Sequence, residues 1–129
     1  MIDQLMLSLP WPPSNNRYYR HIAKGPLAGR VLLSEEGRLY RKAVDSVIRQ
    51  ARARYAWAMP VRIDVAAYPP DRRKRDLDNM LKAVLDSLQA SGVYENDSQI
   101  CDLRIWRAER VVGGQLIVTV QPLGGDACG

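Results

Sequence analysis

The chain has 129 residues, the length of one domain. Hydrophobic residues make up 47%, which excludes a disordered polyelectrolyte and leaves enough apolar surface for an ordinary core. The net charge is +5, and fifteen Lys/Arg against five Asp/Glu fall within residues 11–75, leaving four against nine elsewhere.

That imbalance has two readings. It suits a basic surface for a phosphate backbone beside an acidic region that holds metal ligands, and the alternative is a pair of self-associating charged halves. No apolar run approaches the ~20 residues of a membrane span. Met1-Ile2-Asp3-Gln4 lacks the basic start and apolar segment of a signal peptide, so a cytoplasmic protein is expected. Cys101 and Cys128 are too few for a disulfide framework, and neither sits in a Cys-x-x-Cys pair. Cys101 reads as a small buried hydrophobe and Cys128 as a tail thiol.

In chain order, residues 2–9 predict a strand, with Leu5, Leu7 and Leu9 alternating before Pro10. Trp11-Pro12-Pro13-Ser14-Asn15-Asn16-Arg17-Tyr18-Tyr19-Arg20-His21 predicts a loop that continues through Gly25-Pro26 and Gly29. Loops of such length in a compact domain are functional or disordered. Ser34 predicts an N-cap, with Glu35 and Glu36 in the first turn of a helix running to about Arg54. Tyr40, Val44 and Ile48, beside Leu39, Ala43 and Val47, mark its apolar stripe. Residues 61–67 alternate as a second strand. Leu77, Leu81, Val84, Leu85 and Leu88 mark a second helix, with Gly92 as its C′ residue. Leu103 and Ile105 predict a third strand, and Leu116, Val118 and Val120 a fourth, joined as a hairpin through Val112-Gly113-Gly114.

The expected fold is α+β: one two-layer domain over residues 1–123, in β-α-β-α-β-β order. A mixed four-stranded sheet carries both helices on one face. Residues 124–129 read as a flexible tail.

The chemistry is concentrated in Asp71-Arg72-Arg73-Lys74-Arg75-Asp76-Leu77-Asp78-Asn79, with Lys82 a turn further on. Four consecutive cations beside two carboxylates suit a site that attracts a polyanion and holds a divalent metal against it. Two acids two residues apart point about 200° away from each other on a helix and to one side on extended chain. Both can reach one ion only if the helix begins between them, with Asp76 at or before the N-cap and Asp78 in the first turn. Asp97, in the turn Glu95-Asn96-Asp97-Ser98, is the third acid. Three gathered carboxylates repel one another unless a cation joins them, and magnesium suits such a set. The plain alternatives stay open: helix capping for Asp76 and Asp78, turn chemistry for Asp97, a solvated loop for residues 72–75, and an i,i+4 ion pair between Asp78 and Lys82. Trp11, Tyr18 and Tyr19 either stack on exposed bases or pack their loop down. His21, the single histidine, reads as a hydrogen-bonding group.

Three segments, Leu9 to His21, Met59-Pro60-Val61, and Pro70 to Asn79 with Lys82, together resemble the RusA family of Holliday-junction resolvases. The resemblance runs in order from residue 5 to about 120. It implies a small homodimeric, magnesium-dependent endonuclease of bacterial or prophage origin, with manganese as a substitute ion. Its substrate would be four-way junction DNA, nicked symmetrically, with no membrane or organic cofactor involved. By position, Asp76, Asp78 and Asp97 match the family's metal-binding carboxylates and Lys82 its catalytic lysine. Arg75 and Asn79 match residues needed near the site, and Asn15 and Asn16 match positions of DNA or active-site support. Arg17, Arg72, Arg73 and Lys74 complete the expected DNA contacts. Asn96 stands where some relatives carry a further acid. The rival reading from another class is a non-catalytic DNA-binding protein; a nuclease for flaps or RNA is a third.

Overall fold

The computed structural model describes residues 3–124 and Cys128. The first strand expected to begin at residue 2 therefore starts partly outside the described residues, as does most of the expected tail. Six strands and three helices follow one another: β1 (Leu5–Pro10), α1 (Asn15–Tyr18), β2 (Tyr19–His21), β3 (Val31–Leu33), α2 (Glu35–Gln50), β4 (Val61–Tyr68), α3 (Leu81–Ala90), β5 (Ile100–Arg107) and β6 (Gln115–Pro122). Short 3-10 turns precede α3 (Leu77–Met80) and β5 (Asp97–Gln99).

The main sheet is four-stranded and mixed, in the order β1-β6-β4-β5. β6 pairs antiparallel with both β1 and β4, and β4 pairs parallel with β5. Alternation decides which face is buried. Leu5, Leu7 and Leu9 lie level with Val120, Val118 and Leu116, and these with Ile63, Val65 and Ala67. All nine are buried and share one cluster with Tyr40, Val44, Ile48, Val84 and Leu88 from α2 and α3. Both helices therefore cover that face, as the pattern predicts. The opposite face carries Met6, Arg62, Asp64, Asp102, Arg104 and Trp106 and stays open to solvent, with Met6 63% exposed.

Two expectations about strand connection and the first loop need correction. The last two strands are not a hairpin: β4 lies between them. β4 is buried on both faces at its end (Val65, Ala66 and Ala67), as a central strand must be, and the seven residues between β5 and β6 are enough to carry the chain across it. The loop after β1 is also more ordered than its composition suggests. It holds α1 and a two-stranded sheet of β2 with β3.

α2 begins where predicted. Ser34 is extended and accepts from the Gly37 amide at 2.9 Å, while its own hydroxyl donates to the Arg17 carbonyl at 2.5 Å. The helix stops at Gln50, short of residue 54. Arg52 takes φ +52°, Ala53 N–H donates to Ile48 O, and Arg52 N–H to Arg49 O, a Schellman ending with arginine in the glycine place. α3 ends the same way on Gly92 at φ +86°, with Val93 N–H on Leu88 O.

Three buried tyrosines bolt the layers together. Tyr40 donates to Pro10 O at 2.9 Å and Tyr94 to Leu85 O at 2.6 Å. Tyr18, on α1, donates to Asp86 of α3, and Arg41 of α2 reaches both, at 3.0 Å from the phenol oxygen and 2.5 Å from the carboxylate. Burial, helped by the Asp86 carboxylate, pushes the Tyr18 phenol up to about 12. Burial also raises Tyr40 and Tyr94.

Cys128 lies against Cys101, with Cα atoms 5.1 Å apart. Cys128 is therefore not a remote tail thiol: it stands beside β5, at a Cα spacing that a bridge to Cys101 would suit. Among the described residues, no helix is long and apolar enough to cross a membrane.

Two tests follow from these contacts. Arg52→Gly relieves a left-handed residue and raises stability by about 0.5–1 kcal/mol, read as a later urea midpoint with unchanged slope. Raised tyrosine pKa values stabilise the fold below the ordinary phenol value near 10. That contribution is lost as pH climbs through the folded-state value of about 12 for Tyr18. Titration at 295 nm should therefore show late-ionising phenols that merge with unfolding; free ionisation of all six tyrosines near pH 10 would contradict the bolts.

Candidate active site

β4 delivers the chain to Pro69 and the basic loop, and the first 3-10 turn returns it into α3. Asp76 is the extended residue before that turn (φ −82°, ψ 130°) and Asp78 lies in its first turn. The helix therefore begins between the two acids, the arrangement a shared ion requires. Asp76 occupies the N-cap place but its side chain makes no capping hydrogen bond. The capping alternative thus fails for Asp76. Lys82 and Asp78 form no ion pair, so the i,i+4 alternative fails too. Asp76, Asp78 and Lys82 are all exposed, and no described side chain pairs with either carboxylate.

What fixes this turn is a neutral amide from far away in sequence. Asn15 Nδ2 donates to Asp78 O at 3.3 Å, and Asn15 Oδ1 accepts from Lys82 N–H at 3.2 Å. Asn15 therefore braces the acidic turn. α1 that carries it is held by Tyr18 on Asp86 and Arg41. Tyr18 is fully buried and packs edge-on against Tyr19 at 5.0 Å, so the packing reading holds for that pair. Asn16 and Arg17 remain exposed, His21 is exposed on β2, and Asn79 is half-buried beside Met80.

The basic loop has its own anchor. Asp71 accepts from Arg75 at 2.7 Å and from Arg73 N–H at 2.9 Å. The Arg75 guanidinium beside it, then the Arg73 amide, hold the Asp71 carboxyl down at about 2. Arg75 also lies over the Trp11 ring, 5.5 Å from its centre. Arg107, at the end of β5, donates to Arg75 O at 2.6 Å. Arg75 is thus partly a structural tie, whereas Arg72 and Lys74 are exposed and enter no ion pair among the described residues. The loop forms a ridge between two cavities. One, of about 620 Å³, opens toward Pro13, Arg17 and Asn79. The other, of about 550 Å³, opens toward Leu77, Arg107 and Arg110. Asp76 lines both.

Asp97 lies elsewhere. Its turn is closed by reciprocal bonds between Asn96 and Gln99, so Asn96 serves as a cap. Asp97 N–H donates to Gln89 at the last turn of α3, and Gln99 Nε2 donates to Trp57 O and Met59 O. Asp78 precedes α3 and Asp97 follows it. Ten residues of helix, about 15 Å, separate the two ends. Among the described residues, no three His, Cys, Asp or Glu side chains gather closely enough to hold a metal ion. One chain therefore places Asp76 and Asp78 on the turn before α3 and Asp97 at the other end of that helix. The amides of Gln89 and Gln99 are not legible in the sequence, whereas Asn15 stands among the residues expected at DNA or active-site support. Only Asn15, inside a Pro-Pro-Ser-Asn-Asn loop, carried any signal. Arg107 and Arg110 were also missed, although they are basic residues within an otherwise acidic half.

In type, the donors fit a hard divalent cation: two exposed carboxylates on one turn, neither committed to a cation or amide of the protein.

The family model for Endodeoxyribonuclease RusA matches residues 10–121. Proteins named Crossover junction endodeoxyribonuclease RusA from Shigella sonnei strain Ss046 and Escherichia coli strain K12 are each 42% identical over 120 residues. In both cases that covers 93% of this chain and 96% of the relative. The Enterobacteria phage 82 protein of the same name is similar to the same extent. Built around a basic ridge and two free carboxylates, and similar over nearly its whole length, the chain belongs to the RusA endodeoxyribonuclease family.

Proposed function

We propose that this protein is an endodeoxyribonuclease that resolves four-way DNA junctions by paired, symmetric, magnesium-dependent nicks. Family membership supports the activity class. The observation that carries the site assignment is that Asp76, which lines both cavities beside the cationic ridge, and Asp78, two residues on in the turn, are exposed and unpartnered. An exposed structural carboxylate beside four cations would be drawn into ion pairs. Asp71 is, and Asp76 and Asp78 are not.

Asp76 and Asp78 would hold magnesium, or manganese in its place. Bound there, the ion would lower the pKa of water and neutralise charge on the scissile phosphate. Lys82, fixed through its backbone by Asn15, offers a flexible cation to the charge that develops on the phosphate. Arg72, Arg73, Lys74 and Arg17 contact the DNA backbone and set its register. Asn79 lines the cavity beside Asp76 and would contact the DNA backbone there. The products are a 5′-phosphate and a 3′-hydroxyl.

The separation of Asp97 supports a dimeric site. In an isologous pair, one contact implies its mirror. Antiparallel apposition along the β5–α3 edge puts the start of one α3 beside the end of the other. Asp97 of the partner subunit then joins Asp76 and Asp78, and two equivalent sites form for two matching cuts.

Asp76→Asn and Asp78→Asn should each reduce cutting of a labelled junction to background while junction binding persists in a gel shift. Binding and cutting that are both indifferent to these changes and to magnesium would return the acids to structural roles. Mixing refolded Asp78→Asn with Asp97→Asn tests the shared site. Completion across subunits leaves one intact site in the mixed dimer and restores single nicks; completion within a chain restores nothing. Asn15→Ala should slow cutting about 10–100-fold, as loss of a supporting contact does, with little change in junction affinity. A proportional loss of affinity would instead make Asn15 a DNA contact.

A further inference from the structure

The cavity of about 550 Å³ beyond the basic ridge has a lining that backbone contact does not call for. Its floor is apolar, formed by Trp11, Ala67, Leu77 and Met80. Ala67 and Met80 are buried, and Trp11 and Leu77 pack half-buried against the core. Its rim is cationic, with Arg72, Lys74, Arg107 and Arg110. None of these four enters an ion pair among the described residues. Asp76 stands at the edge shared with the other cavity.

Phosphates are held by cations on open surface and need no apolar floor. A bare apolar groove, conversely, needs no ring of arginines. The two together match a nucleotide: a flat ring against aromatic and thioether carbon, with a charged ester at the rim. The volume lies within the range of sites that enclose small organic groups. A base stacked in a duplex cannot enter, whereas a base where strands part has less stacking to lose. Arg75 over Trp11 and Arg107 on the Arg75 carbonyl hold the wall in place before any substrate arrives.

We propose that this cavity receives an unstacked nucleobase of the cleaved strand, next to the scissile phosphate. The proposal rests on the nuclease reading of the Asp76–Asp78 turn. Trp11 and Met80 form the faces against which the base lies, and Arg107 and Arg110 hold its flanking phosphate. Seating a base there fixes which phosphate stands before Asp76, so the cavity determines where along the strand the cut falls. A free mononucleotide shares this chemistry, and the test separates the two sources.

The experiment is an abasic scan of four-way junctions, one base removed at a time around the cut, with wild-type protein and Trp11→Ala in magnesium. One position should slow wild-type cutting by about tenfold or more. The same lesion should slow Trp11→Ala by less than about threefold further, because base and indole form one contact. On the wild-type protein, 5-iodo-deoxyuridine at that position should photocrosslink to the Trp11 or Met80 peptide. A flat scan with a wild-type protein that still cuts junctions overturns the base pocket and leaves the nuclease reading intact. A wild-type protein that binds junctions without cutting them under any metal condition overturns both. If Trp11→Ala does not fold, the wild-type crosslink map decides, and crosslinks found only outside the cavity overturn the proposal. Saturable binding of deoxynucleoside 5′-monophosphates below about 100 µM in dialysis without DNA reassigns the cavity to free nucleotides and overturns it too.

Discussion

The shared grip of Asp86 and Arg41 on the Tyr18 phenol is the contact on which the rest of the candidate site depends. It ties three helices that no short connection joins: α1 from the Pro-rich segment, α2, and α3 with the acidic turn at its start. The phenol is wholly buried, so an unpartnered hydroxyl there would cost about 1–3 kcal/mol. Asp86 and Arg41 are only partly exposed, and each satisfies the other as well as the tyrosine. Because α1 is fixed in this way, the residue three positions earlier, Asn15, can span the turn between Asp78 and Lys82.

The site divides its labour between neutral and charged groups. Amide side chains hold the backbone: Asn15 at the Asp78 turn, Gln89 at Asp97, Gln99 on the Trp57–Met59 segment. An amide fixes geometry without adding charge, so the carboxylates keep their full field. The basic loop is restrained separately by Asp71, which engages Arg75 and Arg73. That internal anion keeps Arg75 from collapsing onto Asp76. A cleft therefore persists in which opposite charges stand close together without cancelling, the condition a site needs if both a phosphate and a divalent cation are to enter it.

Much of this was legible in the sequence where the cause is local. Ser34 announces its helix because a side-chain oxygen before two glutamates has one good use. Gly92 announces an ending for the same kind of reason, and the placing of Asp76 and Asp78 across a helix start follows from side-chain direction alone. What stayed hidden depends on distant partners. The end of α2 was read too late because an arginine, not a glycine, takes the left-handed position at residue 52. The β5–β6 pair was read as a hairpin because adjacency in sequence does not reveal that β4 slides between them. Asn15 could be singled out, but not its hold on residues more than sixty positions away. The resemblance drew Asp97 toward the other acids; the chain geometry puts a helix between them.

β1 pairs with β6, level at Leu5 and Val120, so the sheet closes only when the two ends of the domain meet. During synthesis the first strand has no neighbour until the last has left the ribosome. β4 likewise lacks one flank until then, since β6 sits between it and β1. Strand pairing across so much of the chain makes folding slow relative to helical proteins of this size. It also makes it all-or-none: a nascent or truncated chain displays the basic ridge without the scaffold that orders the acids. A growing polypeptide that can already attract nucleic acid is thereby kept from cutting it until β6 has joined the sheet.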